Sequence, residues 1–207
     1  MVYKNLYLRF LSSCIFISIY ILLNYINFKL IFYLIFIIYF ILIFEVFFYF
    51  KKFKTVPIIY ILISLIFFVN IDFNNQIILN FNLYVFTVIS FDTFSFISGK
   101  FFGKTRLISI SPNKTIEGLI GGVLLSICSA ILLANYFSIE INLQSLIFIS
   151  LTIIFAFFGD MIESYFKRKN ELKNSSSFIP GHGGIFDRFD SFLFSIIFYS
   201  IFINILQ

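Results

Sequence analysis

The segment DMIESYFKRK at residues 160–169 ends one long apolar stretch of this chain, and DRFD at residues 187–190 begins the next. If residues 157–169 form a helix, Asp160, Glu163 and Lys167 recur at helical spacing and share one face with Ser164. A second helix is expected to start near Ile185 and to carry two aspartates, at 187 and 190, on one face of its first turns. Carboxylates from two helices and a nearby cation are the parts of a metal-bound phosphoryl site.

A glycine-containing turn separates these two segments. Residues 170–177 are polar, and PGHGG follows at residues 180–184. Glycines there permit positive φ angles and the close approach of a ligand. The free amides and positive dipole end of the next helix would suit a phosphate group.

The composition is that of a membrane protein. The 207 residues are 60% hydrophobic and only 12% charged, with a mean hydropathy of +1.02, whereas soluble domains carry about 25% charged residues. Cys14 and Cys128 stand alone in apolar stretches, which argues against a disulfide or a metal site. The net charge is +5, and most of the lysines and arginines lie between apolar stretches. Basic residues in such positions contact lipid headgroups, so the lipid bilayer, and not nucleic acid, is their expected partner.

A spanning helix needs about 20 mainly apolar residues. This criterion predicts an all-α, polytopic transmembrane helix bundle of about seven spans. The whole chain, 1–207, is expected to form a single domain, with N-terminal spans in 1–75 and catalytic spans and cytoplasmic loops in 76–207. The predicted spans are Phe10–Asn27, Leu30–Phe50, Val56–Val69, Ile77–Ile97, Gly118–Phe137, Ser145–Ile162 and Phe189–Leu206.

The lysines and arginines predict the orientation, because short cytoplasmic loops hold their excess. Basic residues cluster before the first span and in alternate loops, whereas Asn70–Gln76 and Ser138–Gln144 contain none. The N-terminus and the loops near Ser111 and His182 are therefore expected in the cytoplasm, with the active site on that side. A bacterial inner membrane is the expected location.

Two polar features in the first half of the chain need explaining. Glu45, late in the second span, either lines a cavity or extends toward the nearby lysines. SPNKTIEG at residues 111–118 is either an ordinary helix start, with Ser111 as cap, or a substrate-binding loop. In the second interpretation Lys114 holds a phosphate and Thr115 donates a hydroxyl. Small residues at 118, 121 and 122 would let the helix that follows pack tightly on a neighbour.

Several of these segments resemble one known family. The pattern SYFKR at 164–168, KN at 173–174 and IPGHGGIFDRFD at 179–190 resembles the signature of the phosphatidate cytidylyltransferases, or CDP-diacylglycerol synthases. SPNKTIEG is similar to that family's Ser-Pro-x-Lys-Thr-x-Glu-Gly, and DTFSFISGKFFGK at 92–104 is similar to its Asp-Thr stretch. The chain departs from the family at Asn174, where the family has Asp, and at Phe94, where it usually has a small residue.

The resemblance implies an activity, a set of ligands and a set of site residues. The reaction would be CTP plus phosphatidate giving CDP-diacylglycerol and diphosphate, with Mg²⁺ and a second, monovalent or divalent, cation as candidate cofactors. The implied partners are CTP, phosphatidate and the bilayer, and a homodimer is an open alternative to the monomer. Asp160 and Asp187 would be metal ligands, supported by Asp190 and Glu163. The other implied site residues are Lys167 and Arg168 as catalytic groups, and Lys114, Thr115, His182, Gly183, Gly184 and Arg188 as phosphate or nucleotide contacts.

Three other functions are compatible with these sequence features. A lipid kinase of the polyprenol type or a CDP-archaeol synthase could use a similar scaffold. A transporter would also hold intramembrane acids, but it should show inverted repeats, and the sequence shows no repeat. A structural remnant without activity is the third alternative.

Overall fold

The computed structural model describes residues 18–108, 111–176, 178 and 183–206. It is built mainly of helices. Residues 18–26 are helical and are labelled α1. The elements that follow are α2 (Phe28–Tyr49), α3 (Thr55–Val69), α4 (Asn75–Phe102), β1 (Arg106–Ile108), β2 (Ser111–Thr115), α5 (Ile116–Tyr136), α6 (Leu143–Lys169) and α7 (Phe186–Leu206).

Among the residues that the structure describes, five helices, α2 and α4 to α7, are long and apolar enough to cross a membrane. They coincide with five of the predicted spans, and the chain is a multi-pass membrane protein. The predicted span Val56–Val69 is the 15-residue helix α3, which is short for a crossing at ~1.5 Å per residue. Most of the predicted span Phe10–Asn27 lies outside the described residues. The total of about seven spans therefore stays a prediction.

Several helices begin where a side chain accepts a hydrogen bond from one of the first backbone amides. Asn74 accepts from the backbone of Ile77 at the start of α4 (2.9 Å). Asn142 accepts from the backbone of Ser145 (2.8 Å), whose hydroxyl accepts from the Asn142 backbone in return (3.0 Å). These pairs let apolar helices start sharply next to short polar turns.

The predicted helical fold is confirmed, and a small antiparallel β-hairpin, which the sequence did not predict, precedes α5. Strands β1 and β2 pair Arg106 with Thr115 and Ile108 with Ser111. The expectation that Ser111 caps a helix was wrong, because residues 111–115 are extended and Thr115 is the cap. Glu117 ties the hairpin to the helix by accepting from the Lys104 backbone amide (3.1 Å) and from the Thr105 hydroxyl (2.8 Å).

The structure divides into two compact units. The first contains the described residues up to Leu65 together with Phe166–Phe189. Its core holds Leu42, Val46 and Phe50, all at most 1% exposed. The division of the sequence at residue 75 stays a prediction about function.

One amide side chain organises the loop between α2 and α3 in this first unit. Asn170, directly after α6, accepts from the backbone amides of Lys52 (3.1 Å) and Phe53 (3.0 Å) and donates to the Phe53 carbonyl (3.2 Å). Beside it Lys52 forms an ion pair with Glu171, which lowers the pKa of that carboxyl. The end of α6 is thereby held against the loop.

The second unit contains Ile66–Tyr165 and Asp190–Gln207. Its core includes Tyr84, which shares a hydrogen bond with Ser195 (2.8 Å), and Tyr199, which donates to the Ile77 carbonyl (2.9 Å). Buried tyrosines with satisfied hydroxyls are stable in an apolar core.

Helices α4 and α5 of the second unit pack backbone to backbone. A Cβ atom on Gly118 would lie 2.9 Å from the Ser95 carbonyl oxygen and 3.0 Å from the Gly99 Cα. A Cβ on Gly121 or Gly122 would overlap serine side chains of α4. The predicted small face of this helix is confirmed, and α4 is its neighbour.

Candidate active site

Three acidic side chains come together in the second unit. Asp160 and Glu163 lie on α6 and Asp190 lies on α7, and one carboxylate oxygen from each lies within 4.8 Å of the others. Glu163 is fully buried, and the other two are partly buried. Carboxylate oxygens grouped this closely in a mostly apolar unit are a suitable set of ligands for a hard divalent cation.

Close approach of α6 and α7 produces this grouping. Gly159 has no side chain, and a Cβ there would lie 2.5 Å from the Asp190 carbonyl oxygen and 3.1 Å from the Ser191 Cα. The Asp190 carboxylate accepts from the Ser191 amide (2.8 Å), and the Ser191 hydroxyl donates to Asp92 of α4 (2.9 Å). Asp92, which the sequence analysis noted only as part of a motif, therefore helps to place the residue next to Asp190.

Gly159→Ala is expected to destabilise the protein and to spread the acidic cluster. The added methyl group would overlap backbone atoms of α7, and overpacking of this kind costs ~1–3 kcal/mol. We expect a lower midpoint of thermal unfolding in detergent and weaker binding of a divalent cation such as Mn²⁺. Ile154→Ala, at a position on the same helix that is 46% exposed, is the control and should leave both nearly unchanged. An unchanged midpoint in Gly159→Ala would contradict the close packing.

The SPNKTIEG segment supplies a cation to the acidic cluster. The Lys114 ammonium forms an ion pair with Asp160, and the two side chains are 23% and 28% exposed. It also lies 5.3 Å from the centre of the Phe157 ring. Three carboxylates and one ammonium leave a formal charge of −2, which a divalent cation would neutralise.

Thr115, predicted to contact substrate, is the N-cap of α5 in this structure. Its hydroxyl oxygen accepts from the Gly118 amide at 3.1 Å. A threonine hydroxyl has one proton to donate and a second lone pair, so capping and substrate contact are compatible. The predicted substrate role stays a prediction.

In the first unit, Asp187 accepts hydrogen bonds through both carboxylate oxygens. Oδ1 accepts from the Lys167 ammonium (2.7 Å), and Oδ2 accepts from the backbone amides of Ser175 (3.0 Å) and Gly184 (2.9 Å). The Ser175 hydroxyl also lies 3.0 Å from Oδ2. The side chains of Asp187 and Lys167 are only 9% and 14% exposed. The role of Asp187 as a metal ligand stays a prediction, and in this structure the ammonium of Lys167 occupies its Oδ1.

Glu45 of the same unit holds the start of α7. Its carboxylate is fully buried, accepts from the Ser175 hydroxyl (2.5 Å) and accepts from the amides of Ile185 (2.9 Å) and Phe186 (3.2 Å). The expectation that Glu45 extends toward the lysines was wrong. The expectation of free amides at this helix start was also wrong, because two carboxylates accept the N–H groups of residues 184–186.

Two of the remaining predicted site residues, Gly183 and Gly184, lie just before α7. Gly183 has φ +86° and Gly184 is buried. A Cβ on Gly183 would lie 2.5 Å from Asp187 Oδ2, and one on Gly184 would overlap Glu45. Both glycines therefore make room for acidic side chains of the protein. Of the other predicted site residues, Arg168 is exposed and donates to the Leu172 carbonyl (3.2 Å). Arg188 is also exposed, and His182 lies outside the described residues.

The sequence profile described as the cytidylyltransferase family matches residues 3–206 of this chain. The chain belongs to the cytidylyltransferase family. The match covers nearly the whole sequence, so both units and the residues named above fall within it.

Individual relatives of this cytidylyltransferase-family chain carry a more specific name. It is 50% identical over 109 residues to phosphatidate cytidylyltransferase 4, chloroplastic, of Arabidopsis thaliana, covering 52% of this chain and 28% of that protein. It is 44% identical over 119 residues to the phosphatidate cytidylyltransferase of Staphylococcus haemolyticus, covering 56% of this chain and 46% of that protein. The Staphylococcus aureus protein is 45% identical over 122 residues, with 56% and 46% covered. The matches therefore span less than half the length of each relative.

Sequence reasoning missed Ser175 and the hydrogen-bond partners of Glu45 in this cytidylyltransferase-family chain. Ser175 contacts both Glu45 and Asp187, but a serine in a polar loop carries no distinguishing signal. Glu45 carried a signal, because an acid inside an apolar span has to be satisfied, although its partner was 130 residues away. The pairing of Asp160 with Glu163 and Asp190 followed from helical spacing and needed only the packing of α6 on α7.

Proposed function

We propose that this protein is a phosphatidate cytidylyltransferase, which transfers CMP from CTP to phosphatidate and releases diphosphate. The observation that carries the proposal is the acidic cluster of Asp160, Glu163 and Asp190, found in a multi-pass membrane chain of the cytidylyltransferase family. The names of its relatives support phosphatidate as the acceptor.

The reaction forms one P–O bond and breaks another. A phosphate oxygen of phosphatidate attacks the α-phosphorus of CTP, and the bond to the β-phosphate breaks, so diphosphate leaves. The attacking oxygen is already anionic, so the reaction needs no strong general base. The main barrier is the repulsion between two anions, and positioning and charge neutralisation lower it.

We propose Mg²⁺ as the cofactor, held by the acidic cluster. The donor set fits, because Mg²⁺ prefers oxygen ligands, usually one or two carboxylates together with substrate phosphates. When bound, the ion would neutralise negative charge on the substrate phosphates. The protein's own part is to hold three carboxylates together, through the Gly159 contact of α6 with α7. We also propose that Asp187 is a metal ligand and that a second cation takes part in the reaction.

Cationic side chains are proposed to bind the phosphates. Lys114 and Lys167 each pair with an aspartate in this structure, and each can exchange that carboxylate for a phosphate oxygen when a substrate binds. Arg168 and Arg188 are exposed, which leaves their guanidinium groups accessible to the nucleotide. His182, Gly183, Gly184 and Thr115 are proposed as further nucleotide contacts.

The proposed orientation places these groups on the cytoplasmic side of a bacterial inner membrane. The end of α6, the start of α7 and the loop between them carry five of the eight basic residues of the second half of the chain, and positively charged loops stay in the cytoplasm. CTP is a cytoplasmic solute, and a site at a helix end gives a diacylglycerol chain lateral access from the bilayer.

Two labelled forms of CTP test the proposed reaction with purified protein, Mg²⁺ and phosphatidate. A cytidylyltransferase moves the α-phosphate of CTP into a chloroform-soluble product, whereas a lipid kinase moves the γ-phosphate. We expect α-label in the lipid product, γ-label only in water-soluble diphosphate, and neither reaction in EDTA. Transfer of γ-label to a polyprenol or diacylglycerol acceptor would replace this proposal with the kinase.

Asn174→Asp is expected to leave this activity unchanged or to raise it. Asn174 faces Gly183, since a Cβ on Gly183 would lie 3.2 Å from the Asn174 Cβ. The exchange keeps the size of the side chain and an oxygen ligand, and it restores the negative charge that the family signature has at this position. Steady-state rates with the α-labelled substrate check this expectation. A large fall in rate would show that the amide of Asn174 has a function of its own.

A further inference from the structure

We infer that Glu45 is a positioning residue of this enzyme, which sets the place of Asp187 through Ser175 and through the first amides of α7. The inference rests on the proposed function. It concerns only the first unit, and none of the sequence patterns assigned Glu45 this task.

Glu45 is buried, and all the hydrogen bonds described for its carboxylate come from Ser175 and the start of α7. Its side chain is 0% exposed, and a buried carboxylate is tolerated only when donors satisfy it. Oε2 accepts from the amides of Ile185 (2.9 Å) and Phe186 (3.2 Å), and Oε1 accepts from the Ser175 hydroxyl (2.5 Å). These are hydrogen bonds to a charged acceptor, which are stronger than neutral ones.

The same donors lead directly to Asp187. The Ser175 amide and the Gly184 amide both donate to Asp187 Oδ2, at 3.0 and 2.9 Å. Glu45 thus holds the hydroxyl of Ser175 and the two residues after Gly184, and Asp187 accepts from the backbones of Ser175 and Gly184. Two acidic side chains share one loop and one helix start, and a shift of that start would move Asp187.

The donors and acceptors around Glu45 predict which residue can replace it without loss of activity. The Ser175 hydroxyl has one proton and lies between two carboxylates, so it can donate to only one of them at a time. A glutamine at 45 can accept from the two amides through its oxygen and donate to Ser175 through its NH₂ group. Ser175 is then free to donate to Asp187, so glutamine can replace glutamate, whereas alanine cannot.

The test compares Glu45→Ala, Glu45→Gln and Ser175→Ala in the full-length protein. We expect kcat for CTP-dependent lipid labelling to fall ~10- to 100-fold in Glu45→Ala, since small misplacement of reacting groups has effects of this size. The KM for phosphatidate should stay within ~2-fold, because no lipid contact is removed. Glu45→Gln should restore kcat to within ~3-fold of wild type, and Ser175→Ala should lower it to a smaller extent than Glu45→Ala.

Tyr39→Phe is the matched control. Tyr39 lies on the same helix as Glu45 and shares a buried hydrogen bond of 2.6 Å with Ser64, but that bond does not reach the loop or α7. We expect an unchanged kcat in this variant. A kcat in Glu45→Ala equal to that of wild type, or an equal loss in Glu45→Gln and Glu45→Ala, would overturn the inference.

Hydrogen–deuterium exchange separates this inference from the proposed function. The amides of Ile185 and Phe186 should exchange faster in Glu45→Ala than in wild type, and at the wild-type rate in Glu45→Gln and Tyr39→Phe. Failure of the wild-type protein to label lipid would overturn the proposed function and leave the exchange experiment to decide whether Glu45 holds the helix start. Unchanged exchange at both amides in Glu45→Ala would overturn the positioning role whatever the activity.

Discussion

Asp160→Asn is expected to lower CTP-dependent CDP-lipid formation by at least ~100-fold and to leave the protein folded. The substitution removes a charge from the cluster of Asp160, Glu163 and Asp190, and the loss of even an indirect metal contact costs ~10- to 100-fold. Stability should hardly change, because the ion pair that Asp160 makes with Lys114 is partly exposed, and such pairs contribute ~1 kcal/mol or less. The measurement is the initial rate with α-labelled CTP, together with a thermal unfolding curve.

The control for Asp160→Asn is the same chemical change elsewhere in the chain. Asp72 is exposed in the turn before α4, and Asp72→Asn should keep the wild-type rate. More than about a tenth of the wild-type rate in Asp160→Asn would remove this residue from the metal site.

Asp187→Asn is expected to abolish activity and, unlike Asp160→Asn, to destabilise the protein. The oxygen of asparagine must stay with the Ser175 and Gly184 amides that Oδ2 accepts from. Its NH₂ group would then face the Lys167 ammonium, which is 2.7 Å from Oδ1 in the wild type. Removing one partner of a largely buried pair costs ~3–5 kcal/mol.

A second substitution separates the loss of stability in Asp187→Asn from its loss of activity. Lys167→Met in the Asp187→Asn background removes the donor that faces the amide and should restore most of the unfolding midpoint. It should restore no activity, because Asp187 and Lys167 are both proposed to act on substrate or cation. Thermal unfolding and the labelling assay on both single variants and the double variant complete the cycle. Activity in the double variant would show that the pair is structural only.

Most of the helices could be predicted from the sequence because each is an uninterrupted apolar stretch of membrane-crossing length. Helix α6 and the start of α7 at Phe186 also followed from helical spacing and from the glycines before it. The hairpin could not be predicted, because Pro112 next to Ser111 is as typical of a helix start as of an edge strand. In the structure Glu117 accepts from the backbone amides of residues 104 and 105 at the open end of the hairpin, a contact that no local pattern predicts.

In the candidate site, too, contacts between residues close in sequence could be predicted, and contacts between distant residues could not. Helical spacing placed Asp160 and Glu163 on one face, and the packing of α6 on α7 at Gly159 then brought in Asp190. The hydrogen-bond partners of Asp187 lie within 20 residues of it in the sequence. No local pattern shows that carboxylates occupy the space beside the glycines of its loop. Glu45 required a contact across 130 residues, which depends on tertiary packing.

Direct binding of Mn²⁺, measured by the loss of its free-ion electron paramagnetic resonance signal, tests the central claim that Asp160, Glu163 and Asp190 hold a divalent cation. Wild-type protein and Asp72→Asn are expected to bind Mn²⁺ in competition with Mg²⁺, and Asp160→Asn is expected to bind it at least ~10-fold more weakly. Equal Mn²⁺ binding by wild type and Asp160→Asn would contradict the claim.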